Sequence, residues 1–354
     1  MSDVYDLIKR AENGARLNLD EVEALMATKD AGEISEMYAA ARRVRDRVFG
    51  NKLFIYGFVY FSTYCKNNCA FCYYWRTNDL LRYRKTKDEV LKLSASLEDA
   101  GVNLVDLTMG EDPRLYANGQ AELLDLVKGV RDEVDIGIMV SPGAIDRETF
   151  PKLKEAGADW FACYQETHNR ELFARLRLEQ DYDFRANQRR WAMDAGILAE
   201  DGMLVGLGET PRDRAEAILC MGESGCDQIR AMTFVPQSGT PMEGLVPQDS
   251  TEELKSIAVM RLLFQDRLIP GSLDVEGIAG LKTRVDAGAN VITSIIPPYE
   301  ELAGVAQPEL NINDGHRSVD YVINMIEDMG KKVATNSEYK NLLNERKAKL
   351  RVSQ

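Results

Sequence analysis

The chain has 354 residues, enough for one α/β barrel of about 250 residues with additions at its ends. Its formal charge of −13 argues against a nucleic-acid backbone or an anionic membrane as the main partner and leaves small substrates. Six cysteines do not make a disulfide framework at this length, no stretch has the apolar length of a membrane span, and Met1-Ser2-Asp3-Val4 lacks the regions of a signal peptide, so a cytoplasmic protein is expected.

In chain order, Ile34, Met37, Tyr38, Ala41, Val44 and Val48 recur at i, i+3, i+4 and i+7 spacing, which predicts an amphipathic helical cap over residues 1–50. Leu53 to Phe61 is a continuous apolar and aromatic run, the pattern of a strand buried on both faces. A helix-glycine-strand phrase then repeats. Asp99-Ala100-Gly101, Glu155-Ala156-Gly157, Asp194-Ala195-Gly196, Glu223-Ser224-Gly225 and Asp286-Ala287-Gly288 each precede a strand-like run, the glycine standing where a helix needs a left-handed residue to stop. Thr86 and Glu89 make a capping box at the start of the first of these helices. Two further runs, Asp135 to Val140 and Leu268 to Val275, bring the count to eight strands, which predicts a closed (β/α)8 barrel of the TIM type over residues 51–330. Residues 331–354 form a helical tail whose basic end, Arg346 to Arg351, reads as a solvated face.

The loop after the first strand carries Cys65, Cys69 and Cys72 in C-x3-C-x2-C spacing. Three soft ligands in a short wrapping loop suit a cubane iron–sulfur cluster, and a missing fourth cysteine leaves one iron open to a small molecule. The alternative is a Cys3His zinc site, for which His168 and His316 are the only imidazoles. Cys163, Cys220 and Cys226 are scattered and read as small buried hydrophobes. With the aromatic Phe71 before the third cysteine, the loop resembles the signature of the radical S-adenosylmethionine (SAM) superfamily. That resemblance implies a [4Fe-4S] cluster whose open iron is chelated by SAM, a 5′-deoxyadenosyl radical as the reactive species, and a cell poor in oxygen.

In a barrel, function gathers at the C-terminal ends of the strands. After the second strand comes Met109-Gly110-Glu111-Asp112-Pro113, which resembles the family's glycine–glutamate turn, so Glu111 is expected on the SAM amino group and Asp112 toward substrate. Glu166 in Glu166-Thr167 and the downstream Arg185 resemble the biotin-synthase-like branch of the superfamily, where such a pair binds the SAM ammonium and carboxylate. A zwitterion does need one anion and one bidentate cation. Ser141, at the end of the third strand, adds a hydroxyl, and Gly202, Leu204 and Gly206 match the branch's glycine-rich adenosine turn.

Arg230 lies inside an otherwise apolar strand, where an unpaired guanidinium is costly, so it needs a structural acid or a bound carboxylate. Ser272 and Asp274, two apart on the seventh strand, are expected to face one side. With Asp112 these make one cation, two anions and a hydroxyl, a set that suits a diamino acid, or else an internal ion pair that holds the barrel together. Residues 109–113, 229–236 and 270–278 resemble the branch's lysine-rearranging mutases over essentially the whole chain. The resemblance implies isomerisation of L-lysine to (3R)-3-methyl-D-ornithine, the first step of pyrrolysine biosynthesis, with reduced flavodoxin or ferredoxin as electron donor. It also implies that Asp112, Arg230, Ser272 and Asp274 hold the amino acid. The hydrogenase-maturation enzyme of the same branch is the alternative. Radical chemistry demands a dry cavity, which a lumen plugged by the N-terminal helices would provide.

Overall fold

The computed structural model describes residues 3–297 and 317–353. Its frame is eight strands: β1 (Lys52–Ser62), β2 (Leu104–Met109), β3 (Gly137–Ser141), β4 (Trp160–Ala162), β5 (Leu198–Val205), β6 (Gln228–Thr233), β7 (Pro270–Ser272) and β8 (Val291–Ile295). Every pairing along the path β6-β5-β4-β3-β2-β1-β8-β7 is parallel. β6 meets the approach to β7 through one bridge, Gln228 with Leu268, and a 3.1 Å bond from Ile229 N–H to the Leu268 carbonyl. The result is the expected (β/α)8 barrel, nearly closed. Two junction glycines illustrate why helices stop where the sequence marks them: Gly101 at φ +97° and Gly288 at φ +115° hold backbone that a Cβ would strain.

Three helices precede the barrel, α1 (Val4–Glu12), α2 (Leu19–Ala27) and α3 (Ala31–Phe49). Their apolar stripes, including Leu7, Val22, Met37 and Val44, pack on Ile218 and Ile257 of the outer helices Pro211–Glu223 and Thr251–Leu263. They therefore flank the barrel wall, and the lumen is not closed by them. Its floor, at the N-terminal ends of the strands, is closed by the last helix, Asn336–Ser353. Tyr339 and Leu343 of that helix pack with Phe54, Tyr56, Leu104 and Trp160 inside the barrel, and Arg346 is buried against Asp227 at 3.2 Å. Tyr339, Leu343 and Arg346 recur at helical spacing, so the tail reads as a buried stripe with a charged back.

The seventh strand is shorter than its apolar run. It ends at Ser272, whose hydroxyl accepts the Asp274 N–H at 3.1 Å, and the chain turns into a short 3-10 segment at Gly277–Gly280. Asp274 thus lies in the turn beyond the strand. Among the described residues no helix is long and apolar enough to cross a membrane.

Candidate active site at the C-terminal mouth of the barrel

The strand ends surround a cavity of about 210 Å³, many times the roughly 30 Å³ share of one water. The cysteine loop forms its roof and is held by main chain on two sides. Lys66 N–H donates to the Glu111 carbonyl at 3.0 Å, and Asn68–Cys69 pairs antiparallel with Arg177–Leu178. Gly110 is required here because a Cβ would collide with the Tyr64 carbonyl. Cys65, Cys69 and Cys72 all line the cavity. Burial pushes the Cys65 thiol up to about 11 and raises Cys72 as well, so as thiolates they need a cation to compensate them. Cys69 Sγ accepts hydrogen bonds from Arg177 Nη1 at 3.3 Å and Gln180 Nε2 at 3.0 Å, the kind of N–H donors that sulfur ligands of iron clusters take.

Among the described residues no three Cys, His, Asp or Glu side chains converge on a single ion position. Ligands of a cubane each take a different iron, and three thiols on one loop lining one cavity fit that demand. His168 is turned away, its Nε2 3.4 Å from Asp201, and His316 lies outside the described residues. Of the remaining thiols, Cys163 and Cys226 are buried as expected, whereas Cys220 is exposed.

Phe71, Glu111, Ser141, Glu166, Arg185, Gly202 and Leu204 line the same cavity. The two acids and Arg185 come together, but not as one pair. Arg185 donates Nη1 to Glu111 Oε1 at 3.4 Å and Nε to the Tyr164 carbonyl at 2.8 Å. Glu166 instead accepts Arg177 Nη2 at 2.8 Å, and Arg177 also stacks over the Phe71 ring at 5.2 Å. Glu166 stands at φ +67°, a strained backbone held by two bonds to β5: its N–H to the Gly202 carbonyl at 2.9 Å and Leu204 N–H to its own carbonyl at 3.0 Å. Such acid–cation pairs around a cavity suit a zwitterionic ligand.

Gly202 makes room for protein: a Cβ there would stand 2.8 Å from Arg230 Cγ and 3.0 Å from Tyr164 Cδ1. Gly206 does not line the cavity. Its N–H and that of Leu207 are received by Glu209 at 2.9 and 2.8 Å, so this half of the glycine-rich motif closes on itself.

At the deeper end, Arg230 and Asp274 line the cavity, and Asp112 and Ser272 do not. Asp112 is enclosed by Arg84 Nε and Nη2 at 2.6 and 2.7 Å, the Ser62 hydroxyl at 2.6 Å and Arg114 N–H at 3.0 Å. Asp274 accepts Arg317 Nη1 at 2.8 Å and the Ser294 hydroxyl at 2.6 Å, with Ser272 at 3.3 Å behind it. Arg230 gives Nε to Glu200 at 2.6 Å and lies 5.1 Å from the Tyr164 ring, while its Nη2 has no hydrogen bond. Two lining residues carry chemistry that the motifs do not flag, Arg177 and Asp106.

A parallel barrel whose first strand leads into a three-cysteine loop, above a cavity of paired charges, defines a radical SAM enzyme. The chain belongs to the radical SAM superfamily, whose model matches residues 59–221, and it uses a [4Fe-4S] cluster and S-adenosylmethionine. It is 42% identical over 330 residues to 3-methylornithine synthase of Methanosarcina barkeri, covering 93% of this chain and 94% of that one. The crystal structure of methylornithine synthase (PylB) superposes with a TM-score of 0.90 at 41% identity, covering 95% and 99% of the two chains. The [FeFe] hydrogenase maturase subunit HydE of Thermotoga maritima is 28% identical over 314 residues, covering 87% of this chain and 89% of its own.

Proposed function

We propose that this chain is a radical SAM carbon-skeleton mutase that isomerises L-lysine to (3R)-3-methyl-D-ornithine, the first step of pyrrolysine biosynthesis. The observation that carries the reading is Arg230, a buried cation with an open valence in the cavity that the cysteine triad roofs. A substrate carboxylate completes its hydrogen bonding. Similarity to 3-methylornithine synthase along 94% of that relative supports the choice of amino acid.

Cys65, Cys69 and Cys72 hold the cluster. Glu111, Glu166 and Arg185 hold the amino and carboxylate groups of SAM, while Phe71, Ser141, Gly202 and Leu204 follow its adenosyl part, with Gly206 shaping the turn behind them. Arg230 and Asp274 face the substrate end, with Ser272 supporting Asp274 from behind and Asp112 held by Arg84. Loaded and reduced by flavodoxin or ferredoxin in an oxygen-poor cytoplasm, the cluster with SAM would supply the hydrogen-abstracting radical chemistry to this cavity. The protein's own contribution is grip and dryness. Arg230 fixes the carboxylate so that the parts of the carbon skeleton rejoin in a changed order without escaping. Phe58, Tyr60 and Tyr164 wall the lumen against water that would quench a radical.

The test is anaerobic incubation of cluster-loaded protein with SAM, a strong reductant and isotope-labelled L-lysine, followed by mass-resolved chromatography. A new amino acid isobaric with lysine, dependent on every component, is the expected result. Formation of 5′-deoxyadenosine without a lysine isomer rejects lysine as substrate and brings a maturation-type reaction forward.

A further inference from the structure

Cys69 is held differently from the other two thiols of the triad. Main-chain N–H groups reach those two, that of Asn67 on Cys65 and that of Tyr74 on Cys72. Cys69 Sγ, buried in the cavity roof, takes two side-chain donors instead, Arg177 Nη1 at 3.3 Å and Gln180 Nε2 at 3.0 Å. The chain is bent so as to aim both. Arg177 follows the helix Arg170–Leu176 and pairs in register with Cys69, while Ala70 N–H donates to the Leu176 carbonyl at 2.7 Å. Glu179 then takes φ +63°, unfavourable for a residue with a Cβ, and a turn closed by Gln180 N–H on the Arg177 carbonyl at 3.2 Å returns Gln180 to the sulfur. Arg177 is 5% exposed and its fork is shared. Nη1 lies on the sulfur, Nη2 on Glu166 at 2.8 Å and on the Tyr164 carbonyl at 3.2 Å, and Nε has no hydrogen bond. The Arg177–Glu166 pair therefore turns its positive end toward Cys69. A buried N–H left open in a residue that lines the cavity needs an acceptor, and the sulfides of a cluster are acceptors of that class.

We propose that Arg177 and Gln180 set the reduction potential of the cluster, by donating to Cys69 Sγ and so favouring the reduced state. One-electron reduction adds negative charge that the cluster spreads over its sulfur atoms. N–H donors and a nearby cation stabilise that charge, the more so where water is excluded. Gln180 brings a dipole and no charge, whereas Arg177 brings both, so Arg177 has the larger effect. The inference concerns the cluster alone and holds whichever amino acid the enzyme turns over.

The experiment is an anaerobic redox titration of cluster-loaded protein without SAM, followed by electron paramagnetic resonance of the reduced cluster, with iron and sulfide content measured for each variant. In Arg177→Met the ratio of reduced to oxidised cluster at the wild-type midpoint should fall about tenfold, which is 59 mV for a one-electron couple. Gln180→Leu should shift the midpoint the same way by less. Arg177→Lys keeps the charge without the fork and should fall between the wild type and Arg177→Met. A role confined to holding the loop would lower the thermal midpoint of Arg177→Met and leave the potential of its loaded molecules unchanged. A wild-type potential in fully loaded Arg177→Met therefore overturns the assignment. If Arg177→Met does not take up the cluster, Gln180→Leu decides, and a wild-type potential there overturns the assignment equally.

Discussion

Two buried arginines of this barrel differ in what they leave open. Arg284, between the outer helices and the wall, gives Nε and Nη2 to Glu253 at 2.6 and 3.0 Å, and Nη1 to Glu276 at 2.8 Å and to the Gly280 carbonyl at 3.1 Å. Glu253 in turn receives the Thr233 N–H and hydroxyl at 2.9 and 2.8 Å, so the pair is closed from both sides. Arg230 has one good bond to Glu200, a 3.6 Å contact to the Met232 sulfur, and a bare Nη2. Burial is nearly the same, 0% exposure against 3%. A scaffold pair saturates its valences because an unmade buried hydrogen bond costs more than a made one gains. A valence kept open beside a cavity marks the place of a ligand.

The comparison is broken most directly at its scaffold half. Arg284→Met should destabilise the protein by about 3–5 kcal/mol, since it leaves Glu253 buried and uncompensated, and the molecules that remain folded should still turn over lysine. Urea unfolding measures the first and product formation the second. Arg230→Ala should behave in the opposite way. Its stability loss should be smaller, about 1–3 kcal/mol, while lysine turnover disappears and reductive SAM cleavage to 5′-deoxyadenosine remains measurable. Full turnover in Arg230→Ala would remove the residue from the substrate site and leave its open valence without a purpose.

A gentler probe keeps Arg230 and moves it. Gly202→Ala places a methyl 2.8 Å from Arg230 Cγ, and such overpacking costs about 1–3 kcal/mol. The guanidinium has to shift, so KM for lysine should rise about tenfold while the thermal midpoint falls by only a few degrees. An unchanged KM would mean that the position of Arg230 does not matter to substrate.

Much of this arrangement is legible in the sequence, and the reasons differ by region. The strands are legible because a parallel barrel buries both faces and writes continuous apolar runs, and the cysteine loop because its spacing follows from cluster size. Asp106 carries the same signal as Arg230, a charge inside the apolar run from Leu104 to Thr108. Alternation sends Val105 and Leu107 into the outer core and turns Asp106 and Thr108 into the lumen. Which acid pairs with which arginine was not legible. Glu166 and Arg185 both line the cavity, yet each takes another partner, because Arg177 arrives through a two-residue strand pairing too short to leave a pattern. The length of the seventh strand was lost for a similar reason, since a single Ser272–Asp274 turn overrides the apolar run.

The lumen floor sharpens the contrast from the other end of the same barrel. There the Tyr339 hydroxyl donates to the Tyr56 hydroxyl at 2.8 Å, deep among Phe54, Leu104 and Trp160. Burial raises both phenols far above their ordinary range, so the pair stays neutral at every working pH and acts only as a clasp between the last helix and β1. Tyr339→Phe removes one neutral hydrogen bond and keeps the ring packing, so it should cost about 1 kcal/mol in urea unfolding. Lysine turnover and SAM cleavage should stay at wild-type rates. A large loss of turnover would mean that the floor is coupled to the mouth, and that the two ends of the lumen do not work independently.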